Sequence, residues 1–121
     1  MAADRVPVHH THPGVENPSV RATAPDGDIW DEPSEDLLFE LVNDCEYPGD
    51  FVIVEKDGDH FAQTAYAPSS PWVVEFRDGS ADEHYQAWTE DRRLVHEVLF
   101  GFAYDRPGWK GLLDWTKIEF E

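Results

Sequence analysis

The stretch that decides the fold is FVIVEKDGDHFAQTAYAPSSPWVVEFRDGSADEHYQAW, residues 51–88. Its apolar residues recur with a period of two, the spacing at which strand side chains alternate between the two faces of a sheet. "FVIVEK" is a β-branched run, and "DGD" after it is a hairpin turn signal. "HFAQTAYA" reads as the return strand and "PSSP" as a loop. "WVVEFR" reads as a third strand, "DGS" as a second turn and "EHYQAW" as a fourth strand. The segment is therefore expected to form an antiparallel meander of four strands. In the third strand, Trp72, Val74 and Phe76 share one face and are expected inward. Val73, Glu75 and Arg77 share the other, where Glu75 beside Arg77 reads as a structural ion pair. In the first strand Phe51, Ile53 and Glu55 oppose Val52, Val54 and Lys56, and the pattern alone leaves the inward side open.

Outside this meander the period changes to that of a helix. In "PSEDLLFELVNDCEYPGD", Ser34 is placed to cap a helix, and Glu35 and Asp36 fall in the first turn, where the helix dipole favours acids. Leu37, Leu38, Leu41, Val42 and Cys45 form one apolar stripe, and Pro48-Gly49 ends the pattern. A second helix is expected over "TEDRRLVHEVLFGFAYDRPGW". Thr89 is its expected cap, Leu94, Val95, Val98, Leu99 and Phe102 its buried stripe, and Pro107 its stop. "GWKGLLDW" reads as a short helical turn and "WTKIEFE" as a closing strand. The expected fold class is α+β, an antiparallel sheet of about five strands with two main helices packed on one face. Residues 1–33 hold five of the nine prolines and three of the six histidines. They read as a largely irregular segment preceding a single domain over 34–121.

Charge limits the function classes. The chain has 121 residues, with 26 acids against 9 bases for a net charge of −17. This balance argues against direct contact with nucleic acid phosphates or an anionic membrane. It favours a basic protein partner, divalent cations or life at high salt. One cysteine allows no internal disulfide, which fits a reducing cytoplasm. No apolar run approaches the ~20 residues of a membrane helix, and no signal peptide is evident.

Motifs for chemistry are sparse. The "HHTH" run (His9, His10 and His12) could bind a transition metal, but its prolines and the lack of a nearby cysteine argue against a preformed site. His60 and His84 are expected on strands and His96 on a helix face. "HEVLF" has Phe where a zinc-binding HExxH helix needs its second histidine. "DGDH" and "DGSADE" lack calcium-loop spacing and read as turns. There is no GxSxG elbow and no Gly-rich phosphate loop, and Cys45 reads as a buried small hydrophobe. No catalytic residue, metal or cofactor is expected.

The path "FVIVE…FAQTAY…PWVVEFRDGS…HY…LVHEVLFGFAYDRPGWKGLLDWTKIEF" resembles immunity proteins of bacterial polymorphic toxin systems, the family often paired with deaminase-type toxins. The resemblance covers about residues 51–120. It implies an α+β fold, no catalysis and tight binding to one cognate toxin. The expected function is thus a cytoplasmic immunity protein that occludes the active site of a toxin domain, a nucleic-acid deaminase or nuclease, through that toxin's basic face. Charge complementarity would come from Asp57, Asp59, Asp78, Asp82 and Glu83, with Tyr85 and Trp88 as aromatic anchors. For each of these residues a solvated turn or a core aromatic is the plainer reading. Two alternatives remain. One is a small metal-dependent hydrolase using His84 with Glu75 or Asp82. The other is an acidic mimic of DNA that binds many basic proteins.

Overall fold

In the computed structural model, which describes residues 6–10, 19–67 and 71–120, the period-two segment forms four strands in the expected order. They are β4 (Phe51–Asp57), β5 (His60–Ala65), β6 (Trp72–Asp78) and β7 (His84–Thr89). The sheet is larger than expected. Three short strands precede them: β1 (His9–His10), β2 (Arg21–Thr23) and β3 (Ile29–Asp31). A last one, β8 (Thr116–Lys117), follows. The eight strands lie in the order β1-β3-β2-β4-β5-β6-β7-β8. All neighbours are antiparallel except β1 and β3, which run parallel, so the expected five-stranded antiparallel sheet is corrected to a mixed sheet of eight. His12 of the "HHTH" run, most of the "PSSP" loop (68–70) and parts of the segment read as irregular (1–5 and 11–18) lie outside the described residues. Within the described part of that segment, Val20, Ala22 and Ala24 alternate into the core, and β2 extends the sheet beside β4.

One face of the sheet is buried. Val52, Val54, Ala62, Thr64, Trp72, Val74, Phe76 and Ala87 are all at most 4% exposed. Trp72, Val74 and Phe76 point inward as their spacing predicts, and Val52 and Val54 show the first strand to be inward on its even positions. Two helices cover this face, α1 (Glu35–Asn43) and α2 (Arg92–Ala103). Leu38, Leu41, Val42 and Cys45 from the first segment meet Val95, Val98, Leu99 and Phe102 from the second in a single apolar core. Each buried Val or Leu contributes about 1.5–3 kcal/mol relative to exposure, so this stripe-on-sheet contact dominates the fold.

The caps explain the helix limits. Ser34 Oγ accepts from the Leu37 amide at 3.1 Å, as expected. The second cap is Asp91, whose Oδ1 accepts from the Arg93 amide at 2.9 Å, and not Thr89. Thr89 is the last residue of β7, and its hydroxyl accepts from the Asp91 amide at 3.1 Å. The first helix stops at Asn43, before Pro48-Gly49, because Asp50 then draws the chain into a turn through the Glu46 and Tyr47 amides. After α2, a 3-10 turn (Trp109–Leu112) folds back so closely that Trp109 lies against Gly101, where no side chain intervenes. No helix among the described residues is long and apolar enough to cross a membrane.

Candidate functional site

Among the described residues, no helix lies on the second face of the central sheet. Strand register arranges its side chains in rows. Phe51, Ala65, Val73 and Trp88 form an apolar row, Ile53, Gln63, Glu75 and Gln86 a polar one, and Glu55, Phe61, Arg77 and His84 a charged and aromatic one. Each row crosses four strands, or about 14 Å, and successive rows lie about 7 Å apart. Beyond the third row come the β4–β5 and β6–β7 turns, both at the same end of the sheet. The face therefore grades from apolar to acidic over a short distance.

Five of the seven proposed contact residues meet at that acidic end. Asp57 accepts from the Asp59 amide at 2.8 Å and from His60 Nδ1 at 2.9 Å, and these bonds hold its carboxyl below the usual aspartate range. The backbone of the two turns is joined where the Gly79 amide donates to the Asp59 carbonyl at 2.7 Å. Gly79 has φ near 106°, a conformation that glycine adopts without strain. Asp59 lies 3.7 Å from Arg77 Nη1, and Asp78 lies 3.6 Å from Lys110 Nζ. Asp82 and Glu83 sit on the 3-10 turn (Ala81–Glu83) and are exposed. Two cations thus face five carboxylates, and the end keeps a net negative charge.

The two aromatic anchors part company. Tyr85 lies on the helix-covered side, stacked on Phe76 at 5.0 Å, and its hydroxyl donates to Glu83. That bond to a carboxylate pushes its phenol upward from 10.0. Trp88 lies on the open face, 53% exposed, at the apolar end of the rows. It stands about 13 Å along the strand from the turns. Trp88 and the acids can therefore meet one partner only across the open face.

The polar middle of that face holds an arrangement that residue spacing did not identify. Glu75 does not pair with Arg77. Instead His84 Nε2 lies 2.7 Å from Glu75 Oε1, and Arg77 Nε donates to His84 Nδ1 at 3.2 Å. With Nδ1 accepting, the ring proton sits on Nε2 and is donated to Glu75. Gln63 and Gln86 also donate to Glu75, at 3.3 Å and 2.9 Å. Rings of Phe61 and Phe120 pack edge-on to the imidazole, which is 4% exposed. The hydrolase reading brought His84 and Glu75 together, and they do touch. Yet both ring nitrogens are engaged, so the imidazole offers no lone pair to a substrate proton. Asp82 is not among its partners.

The other described histidines also have structural partners. His9 Nε2 is 2.8 Å from Asp31 Oδ1, and His10 stacks on Trp30 at 3.5 Å with Nε2 3.4 Å from Asp28. His96 is buried on α2 and bonds the Glu35 carbonyl at 3.3 Å. Cys45 is buried, and desolvation raises its thiol to about 11. Among the described residues, no group of His, Cys, Asp and Glu side chains is arranged to hold a metal.

Comparison with protein-family models, curated proteins and solved structures finds no match for this chain.

Proposed function

We propose that this chain is an immunity protein that binds a cognate bacterial toxin domain and neutralises it by occluding its active site. The observation that carries the reading is the meeting of Asp57, Asp59, Asp78, Asp82 and Glu83 at one end of the sheet face opposite the two helices. The motif resemblance over residues 51–120 supports it, as does the net charge of −17. A toxin that acts on nucleic acid, a deaminase or a nuclease, carries a cationic groove for the phosphate backbone. An acidic rim steers such a groove into place, and the apolar rows then exclude water behind it.

The test is mixing with the product of the adjacent toxin gene, read by size exclusion with light scattering and by stopped-flow association. A stable one-to-one complex is expected, with loss of toxin activity. Reversing Asp57, Asp59 and Asp82 to Lys is expected to slow association about tenfold or more at low salt, and less as salt rises. Absence of binding at micromolar concentration refutes the reading. Equal binding to many unrelated basic proteins would favour the DNA mimic instead.

A further inference from the structure

The open face holds a groove of about 230 Å³, lined by Phe51, Ile53, Gln63, Ala65, Val73 and Glu75. Its walls are apolar, and its polar groups lie along the middle row. An ionised carboxylate offers about four acceptor positions. Three on Glu75 are filled: Oε1 accepts from His84 and Gln63, and Oε2 from Gln86. One position on Oε2 is left.

The flanking amides add to it. Gln63 and Gln86 both turn their Nε2 groups to Glu75, so their carbonyl oxygens point away from it. Among the described residues neither oxygen accepts a hydrogen bond. Arg77, on the same face, belongs to the next row, where it engages His84 and Asp59. The groove thus sets the Glu75 carboxylate and the Gln63 amide among Phe51, Ile53, Ala65 and Val73, with Gln86 beside Glu75 and Trp88 beside Val73 by register. A carboxylate with an open acceptor position beside apolar side chains is complementary to a cation carried on an apolar stem, because such a stem covers those side chains while its head donates.

We propose that this groove takes the side chain of a lysine or arginine set between apolar residues in an extended segment of a protein partner. The inference deepens the immunity reading, since the same toxin would meet both the groove and the acidic turns, but its test needs no toxin.

The probes are the capped tripeptides acetyl-Leu-Lys-Leu-amide and acetyl-Leu-Gln-Leu-amide. Each is titrated into the intact chain up to about 10 mM, a range suited to a weak single-residue site, and followed by amide NMR shifts. The lysine peptide is expected to give saturable shifts centred on Ile53, Gln63, Glu75 and Gln86. The glutamine peptide is expected to bind about fivefold or more weakly, and Glu75→Gln to abolish that preference. Equal affinity for the two peptides overturns the proposal, as does an absence of saturable shifts. Shifts centred on the turns at Asp57–Asp59 and Asp78–Glu83 overturn it too, because they report general attraction to negative charge. The comparison of peptides uses the unaltered chain, so it stands even if Glu75→Gln fails to fold. A negative result here leaves toxin binding through the acidic turns to its own experiment.

Discussion

Replacing Gly101 by alanine inserts one methyl group where α2 meets the turn that follows it. A Cβ at that position would lie 2.4 Å from Trp109 Cβ, 2.9 Å from its Cγ and 3.2 Å from its Cδ1. Carbon atoms in contact ordinarily sit about 3.5–4.0 Å apart, so the pair is too close by about 1 Å. Side-chain rotation gives no relief, because both Cβ atoms are fixed to backbone. Either the helix or the Trp109–Leu112 turn must move. Overpacking of this kind costs about 1–3 kcal/mol. Moving the turn also loosens the edge-on packing of Trp109 on Phe76, Phe102 and Trp115. Each such pair is worth about 0.5–1.5 kcal/mol beyond area burial. Against these stands the better helix propensity of alanine, about 1 kcal/mol. The net expectation is destabilisation of about 2 kcal/mol, or a melting temperature lower by roughly 6–10 °C for a domain of this size. Urea unfolding followed by far-ultraviolet circular dichroism measures it, and the near-ultraviolet tryptophan bands report the turn. In a Trp109→Gly background, which removes the Cβ as well as the ring, the same substitution is expected to be neutral or stabilising. An unchanged or raised midpoint in the parent chain refutes the reasoning, since helix propensity would then outweigh the close approach.

Two more outcomes are expected. Asp31 is buried, and its hydrogen bond from His9 holds its carboxyl below the ordinary 3.8 against the opposing effect of desolvation, with Arg21 adding to the lowering. A depressed carboxylate contributes stability that is present above its unfolded value and lost as pH falls through the folded one. The amides of β1 and β3 are therefore expected to shift on acidification below about pH 4, and Asp31→Asn to bring related shifts at neutral pH. Retention of the neutral-pH spectrum by Asp31→Asn would contradict this. For Cys45, burial and a thiol raised to about 11 predict slow labelling by an aromatic disulfide reagent at neutral pH and fast labelling in urea. Immediate stoichiometric labelling of the native chain would disprove it.

The parts of the fold visible in the sequence are those long enough to show a period. The strands β4 to β7 run six or seven residues each and the helices nine and twelve, so alternation and helical stripes can be read directly. The strands β1, β2, β3 and β8 span two or three residues, too few to establish a period. In "VRATA" the alternation is present, but two of its three inward residues are alanines, and flanking Pro18 and Pro25 make it read as irregular chain. Site residues divide on similar grounds. Turn chemistry located the acids correctly at hairpin tips, and only topology shows that both tips share one end. Parity put Glu75 and Arg77 on one face, but it cannot say which neighbour each side chain chooses. Register supplies His84 between them, because Arg77 pairs across the strands with His84 and Glu75 with Gln86.

The lengths of the outermost strands bear on how this chain behaves among its own copies. A sheet presents unpaired amide and carbonyl groups along its borders, and a long flat border is a template on which another chain can add. Here the first and last strands in sheet order, β1 and β8, are two residues each. The longer β4, β5 and β6 have a strand on each side. Among the described residues, a second molecule approaching either border meets a strand of only two residues, and it carries the same net charge of −17. A sheet can thus present its helix-free face to a partner while short outermost strands limit the stacking into fibrils that open sheets invite.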